Sequence, residues 1–290
     1  MIHFVGAGPG APDLITVRGQ KLLAEADVII YAGSLVNPEL LQAAGENCRI
    51  YNSAFMTLEE VIKVMKDSEK EGLTTVRLHT GDPSVYGAVR EQMEELEKLG
   101  ISYDVTPGVS SFCGAAAALG MEYTLPGISQ SVILTRMEGR TKVPEKESIE
   151  SFAAHRATMV LFLSSSMIGE LAKKLVEGGY APQTPAAIVY KATWPEEKVL
   201  VCTVDTLKKT AAENGIDRTA LIIVGEAVRY NGAQSVTGNG GSESPQSIKE
   251  SGGMRSRLYD ADFETGYRSA KPREQLNSAG KSPASAGGEL

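Results

Sequence analysis

The chain has 290 residues, 42% of them hydrophobic, and a formal net charge of −7. That is enough chain for two ordinary domains with a core each, and the acidic balance argues against nucleic acid or an anionic membrane as partner. Cys48, Cys113 and Cys202 stand far apart with no CxxC pair, so they carry no zinc or redox signature and read as buried structural thiols in a reducing compartment. His3, His79 and His155 show no metal-ligand spacing, and no metal site is expected. Met1-Ile2-His3-Phe4-Val5-Gly6 reads as a strand rather than a signal peptide, and no stretch approaches the roughly 18 apolar residues of a membrane span. A cytoplasmic protein is the expectation.

In chain order, a strand at Ile2 to Val5 runs into Gly6-Ala7-Gly8-Pro9-Gly10-Ala11, and Asp13 is placed to cap a helix from Leu14 to about Ala26. Val28 to Tyr31 is a second strand, Pro38 opens a short helix, and Arg49 to Asn52 is a third strand. Thr57-Leu58-Glu59-Glu60 has capping-box spacing for a helix that runs to Glu71 before Gly72. Thr75 to Leu78 is a fourth strand. It enters the loop Thr80-Gly81-Asp82-Pro83, and a helical pattern follows from Tyr86 to Leu99. Gly81 permits close approach to a ligand, while Asp82 suits either a ligand hydroxyl or amine or a plain helix cap. His79, beside this loop, is the one histidine to suspect of function. Ile101 to Val105 is a fifth strand, so this half reads as a largely parallel sheet covered on both faces.

Thr106-Pro107-Gly108-Val109-Ser110-Ser111 then leads into a helix of small residues, which suits close approach by a backbone or a ligand, tight packing on a sheet, or both. A domain junction is expected here, with 1–110 and 111–230 as two α/β domains. The second half offers strands at Ser131 to Thr135, Thr158 to Leu163, Ala186 to Tyr190, Val199 to Val204 and Leu221 to about Val228. Val199 to Val204 is expected to pair antiparallel with its predecessor, and Ser164-Ser165-Ser166 to cap the helix that follows. Beyond Tyr230 the composition turns to Gly, Ser and Asn, read as a flexible insert over 231–255. A docking segment at 256–268 and a disordered tail at 269–290 complete the expectation.

Gly6 to Ala11 fits the dinucleotide fingerprint G-x-G-x-x-G/A, so a dinucleotide-dependent oxidoreductase competes. Against it, Val28-Ile29-Ile30-Tyr31 continues into Ala32-Gly33-Ser34 with no acid for a ribose. Pro9, Gly10 and Pro12 also delay the helix that should face a pyrophosphate.

Gly6-Ala7-Gly8-Pro9-Gly10, Thr80-Gly81-Asp82-Pro83 with Tyr86-Gly87, and Pro107-Gly108-Val109-Ser110-Ser111 occur in this order. As an ordered set over about residues 1–230 they resemble the tetrapyrrole (corrin/porphyrin) methyltransferase family. Tyr31-Ala32-Gly33-Ser34-Leu35-Val36, Phe162-Leu163-Ser164-Ser165-Ser166, Tyr190-Lys191-Ala192-Thr193-Trp194-Pro195 and Ser256-Arg257-Leu258-Tyr259-Asp260 resemble the branch that methylates carbon 11 of precorrin-4 or its cobalt form, with another corrin-ring methyltransferase of the same pathway as the alternative. The resemblance implies two α/β domains with S-adenosyl-L-methionine in the cleft between them, usually in a homodimer. By motif, the implied cofactor contacts are Pro9, Thr80, Gly81, Asp82, Val85, Ser110, Ser111, Leu163 and Ala192. Leu163 stands where uroporphyrinogen-III relatives typically have Met, and Ala32-Gly33 replaces their acid after the second strand. Their catalytic assignment therefore does not transfer, and no catalytic residue is assigned.

Methyl transfer to a ring carbon requires alignment and exclusion of water more than a metal. The substrate would be a tetrapyrrole polycarboxylate, so an acidic protein needs a local basic patch to receive it. Arg18, Arg136, Arg140 and Lys191, on or near predicted strand ends, are the candidates. No general base stands out, although Tyr86, His79 and Asp82 lie near the expected site in sequence.

Overall fold

Val28-Ile29-Ile30 has no polar side, the pattern of a strand covered on both faces. In the computed structural model, which describes residues 1–33, 35–232, 260 and 263–270, that strand lies inside a five-stranded parallel sheet. Its members are β1 (Ile2–Gly6), β2 (Val28–Tyr31), β3 (Arg49–Asn52), β4 (Thr75–His79) and β5 (Tyr103–Thr106), in the order β3-β2-β4-β1-β5. Helix α1 (Val17–Glu25) covers one face, with Leu23 against Val5, Ile29, Val76 and Leu78. Helices α2 (Leu58–Lys70) and α3 (Arg90–Lys98) cover the other, with Met65 and Leu96 against Ile2, Phe4 and Ile30. The capping box at α2 forms as expected, Thr57 and Glu60 each accepting the other's backbone N–H.

Neighbouring strands β1 and β4 are left by connections on opposite faces, through α1 and α3. At such a reversal a crevice opens beyond the carboxyl ends of the strands. The loops that start at Ala7 and Thr80 border it.

The second sheet is mixed, in the order β6-β7-β10-β8-β9. It comprises β6 (Val132–Arg136), β7 (Thr158–Phe162), β8 (Pro185–Tyr190), β9 (Lys198–Thr203) and β10 (Ala220–Val224). β6 pairs parallel with β7, whereas β10 runs antiparallel to both β7 and β8, and β9 antiparallel to β8 as expected. Helix α4 (Ser111–Leu119) packs Ala115 and Leu119 against Val160, Ala187 and Ile223 on one face. Helices α5 (Ile149–Ala153), α6 (Ile168–Glu177) and α7 (Leu207–Glu213) cover the other. The small residues of α4 permit close packing on two sides. Ala115 packs on the sheet, and a Cβ on Gly114 would stand 3.0 Å from the Pro9 ring.

Several local expectations are corrected. Pro12–Leu14 is a separate 3-10 turn closed by extended backbone at Ile15, so α1 begins only at Val17 and is capped by Thr16, not Asp13. The helix expected from Tyr86 begins at Arg90, because Tyr86 (φ 55°) and Ala88 (φ 48°) are left-handed and interrupt a right-handed helix. Ser164 does not cap α6. Its buried hydroxyl accepts from the Met137 N–H and donates to the Phe162 carbonyl. After Val224 the chain leaves the sheet at Gly225 (φ 137°) and coils through Glu226–Tyr230. Cys113 is exposed and Cys48 and Cys202 are half-buried, so the thiols are less enclosed than expected.

The expected insert, docking segment and tail fall largely outside the described residues. Within 256–268, Thr265 and Arg268 form an isolated bridge, and Arg268 donates to the carbonyls of Asp260 and Phe263. Among the described residues no helix is long and apolar enough to cross a membrane.

Candidate active site

The loops after β1, β4 and β5 meet backbone to backbone. Gly8 and Gly81 exchange hydrogen bonds, at 3.2 Å from Gly8 N to Gly81 O and 2.8 Å in return. A Cβ on Gly6 would lie 2.5 Å from the Gly108 Cα and 2.7 Å from the Gly81 carbonyl, so only glycine allows the three loops to nest. Asp82 locks the arrangement. Its Oδ2 accepts the Gly108 N–H at 2.8 Å, and its Oδ1 accepts the Ser84 N–H at 2.8 Å and the Ser84 hydroxyl. Burial alone would raise its pKa, but these donors outweigh burial and hold the carboxyl below its usual range. Asp82 thus joins two loops, a role beyond those open to it in the sequence, while still lining the cavity beside them.

Facing this knot is the edge of the second sheet where β7 and β8 end and antiparallel β10 begins. A cavity of about 350 Å³ lies between the two. Pro9, Thr80, Gly81, Asp82, Val85, Ser110 and Ser111 line it from one side, and Leu163 and Ala192 from the other. The wall is mostly apolar. Hydroxyls are nevertheless spread through it, at Thr80, Ser110, Ser111, Ser166 and Thr219 among others, and that of Ser110, at the start of α4, makes no capping bond.

Left-handed backbone is concentrated here. Tyr86, Leu163 (φ 50°), Lys191 (φ 46°) and Thr219 (φ 53°) all line the cavity, and the Lys191 N–H donates to the Thr219 carbonyl at 2.9 Å. Each such residue costs about 1–2 kcal/mol, a strain that clusters where a site must be held in shape. The Tyr86 ring crosses the cleft to Phe162, with centroids 5.2 Å apart, and burial raises its hydroxyl pKa.

Residues 1–208 match the family Tetrapyrrole (Corrin/Porphyrin) Methylases. The chain belongs to that family. A cobalt-precorrin-4 C(11)-methyltransferase of Methanocaldococcus jannaschii is 49% identical to this methylase over 267 residues, which is 92% of this chain and 95% of the relative. The X-ray structure of a cobalamin biosynthetic enzyme, a cobalt precorrin-4 methyltransferase, matches with a TM-score of 0.77 at 46% identity, covering 78% of this chain and 95% of the other. A uroporphyrin-III C-methyl transferase from Thermus thermophilus, complexed with S-adenyl homocysteine, matches with a TM-score of 0.65 at 28% identity over 79% and 93% of the two chains. The methylase is therefore a C-methyltransferase of this two-sheet fold.

The basic candidates separate. Lys191 lines the cavity of the methylase, 3.6 Å from Glu196 and with Nζ 5.3 Å above the Trp194 ring. Arg18 lies exposed on α1, away from the cavity wall. Arg136 donates to the carbonyls of Met137, Thr141 and Lys142, tying up its own loop, and Arg140 is exposed in that loop. His79 sits behind the cavity, stacked on Phe4 at 6.0 Å with its Nε2 buried and unpartnered. Burial, then Arg77, push its pKa down to about 3, so the ring is neutral. Among the described residues no three His, Cys, Asp or Glu stand together to hold a metal.

Sequence reasoning missed Arg218, Thr219 and Trp194 as parts of the wall. It sought sites at strand ends, but antiparallel β10 presents its beginning. For Trp194 the available signal is a lone tryptophan in a loop between two strands.

Proposed function

We propose that this methyltransferase transfers a methyl group from S-adenosyl-L-methionine to carbon 11 of cobalt-precorrin-4, with metal-free precorrin-4 as the second reading. The observation that carries it is the convergence of Pro9, Thr80–Asp82, Val85, Ser110–Ser111, Leu163 and Ala192 on one cavity. The substrate comes from the relative named for it, 49% identical over 92% of the chain.

The residues fit the cofactor. A largely apolar cavity with hydroxyls spaced along its wall suits an adenosine and a sulfonium whose charge disappears in the reaction. When bound, the cofactor supplies an electrophilic methyl group. Ser110 and Ser111, at the N-terminus of α4, offer hydroxyls and unpaired helix N–H groups to its polar end. Leu163 and Ala192 close the wall against water. Rigid loops hold the acceptor carbon in line, which is where a methyl transfer gains most from a protein. Lys191 faces the cavity as the contact for a substrate carboxylate. With Asp82 engaged and His79 neutral behind the wall, proton loss from the ring is left to solvent or substrate. The same reading carries the homodimer and the cytoplasmic setting expected of the family.

Calorimetric titration with S-adenosylhomocysteine and, in parallel, NADH tests the cofactor. Micromolar binding of the former alone is expected, and the reverse would replace the methyltransferase site with a dinucleotide site. Turnover of precorrin-4 with and without cobalt then tests the substrate. In Lys191→Ala, unchanged substrate affinity would remove that residue from the site. Light scattering on the eluting protein tests the dimer.

A further inference from the structure

We infer that Trp194 is a clasp across the cleft, a positioning residue that sets how the two halves of the cofactor cavity face each other. The inference rests on the cofactor reading above. The indole Nε1 of Trp194 donates to the Pro9 carbonyl at 3.1 Å, joining residues 185 apart in the chain. Beside it, the Ala11 N–H donates to the Thr193 hydroxyl at 2.9 Å. Pro9 and Trp194 both line the cavity, so the clasp closes its rim.

Both partners are built for this contact. The indole ring lies in the space that a Cβ on Gly10 would occupy, so glycine is required beneath it. The Gly10 carbonyl is fixed by the buried Asn37, whose Nδ2 donates to it at 3.0 Å. On the other side, Lys191 and Thr193 (φ 69°) are both left-handed. The turn is tied by the Trp194 N–H to the Lys191 carbonyl and by the Glu197 N–H to the Trp194 carbonyl, each at 3.0 Å. Strain in a short turn that delivers two side chains to the opposite half suits a device held in shape for a purpose. The ring also underlies the Lys191 ammonium, so the clasp positions the candidate substrate contact as well.

The chain has one tryptophan, so indole emission reports the surroundings of this ring alone. Wild type, Trp194→Phe and Gly10→Ala are titrated with S-adenosylhomocysteine by calorimetry, and wild type also by tryptophan fluorescence. Trp194→Phe keeps a ring but removes the donor, whereas Gly10→Ala keeps the indole and displaces it. The expected result is a wild-type emission change with the calorimetric midpoint, and binding about tenfold weaker in both variants, the scale of one lost hydrogen bond with its packing. In turnover, KM for the cofactor is expected to rise more than kcat falls. Circular dichroism and melting of the unliganded variants check folding, and a variant that is not folded is replaced by the other. Wild-type binding with silent emission, or with both folded variants within twofold of wild type, overturns the clasp. Absence of binding to wild type overturns instead the cofactor reading, and with it the clasp's role toward a ligand.

Discussion

The Asp82 carboxylate accepts the Gly108 N–H at 2.8 Å across 26 residues of chain, fastening the loop after β4 to the loop after β5. Asp82→Ala removes an ionic acceptor and leaves that N–H without its partner, a change on the order of 1–3 kcal/mol. A lower melting temperature and weaker S-adenosylhomocysteine binding are expected together, because the cavity wall is what loosens. The carboxyl's pKa is held below its unfolded value. Its stabilising effect is therefore fully present above about pH 4, and lost as pH falls through the lower folded value. Cofactor affinity measured from pH 8 to pH 5 should show no step from this group. A step there that Asp82→Asn abolishes would contradict the assignment.

His79 should make the protein sensitive to mild acid. Its folded pKa, pushed down to about 3 by burial and by Arg77, lies far below the usual value near 6.5. The unfolded chain takes up a proton below about pH 6.5 that the folded chain refuses, so stability falls as pH drops from there. The slope approaches about 1.4 kcal/mol per pH unit until the folded ring itself titrates. Denaturant unfolding at pH 7, 6 and 5 measures it. The variant His79→Leu should flatten the dependence, and an unaltered slope in that variant would locate the sensitivity elsewhere.

Leu163 separates stability from binding. It is left-handed and 64% exposed on the cavity wall. Leu163→Gly relieves about 1–2 kcal/mol of backbone strain and incurs about 0.5–1 kcal/mol of extra chain entropy, so the melting temperature should move little. The apolar wall is lost, however, and S-adenosylhomocysteine affinity should fall about tenfold, the scale of part of a leucine's burial. A variant that binds as well as wild type would show that the ligand does not rest on this side chain.

Much of the first sheet was legible because local signals agreed. The unbroken apolar run at Val28 marks a strand buried on both faces, and Thr57 with Glu60 marks a helix start, without help from the rest of the chain. The loop after β4 does line the cavity, but its shape was not legible. A helical pattern from Tyr86 could not reveal the left-handed turn at Tyr86 and Ala88, which is held from outside by Gln92 donating to the Ala88 carbonyl at 2.9 Å. The buried Arg77 in turn donates to Gln92, also at 2.9 Å. Arg218 and Thr219 were hidden for a different reason. Strand direction depends on partners far along the chain, and it is the reversal of β10 that brings its leading residues to the cleft.

The position of β1 has a consequence for the order in which the polypeptide acquires structure. This strand leaves the ribosome ahead of both its partners, yet it lies between β4 and β5, with Ile2 paired to Thr75 on one side and Tyr103 on the other. Its backbone N–H and C=O edges cannot both be paired until the later strands have been made, so it spends most of the half's synthesis as an open template for pairing. Contacts at such sequence separation slow assembly, and parallel strands offer no hairpin to begin from. Early exposure of Ile2, Phe4 and Val5 makes this stretch a segment for a chaperone to shield while β4 and β5 are still being translated.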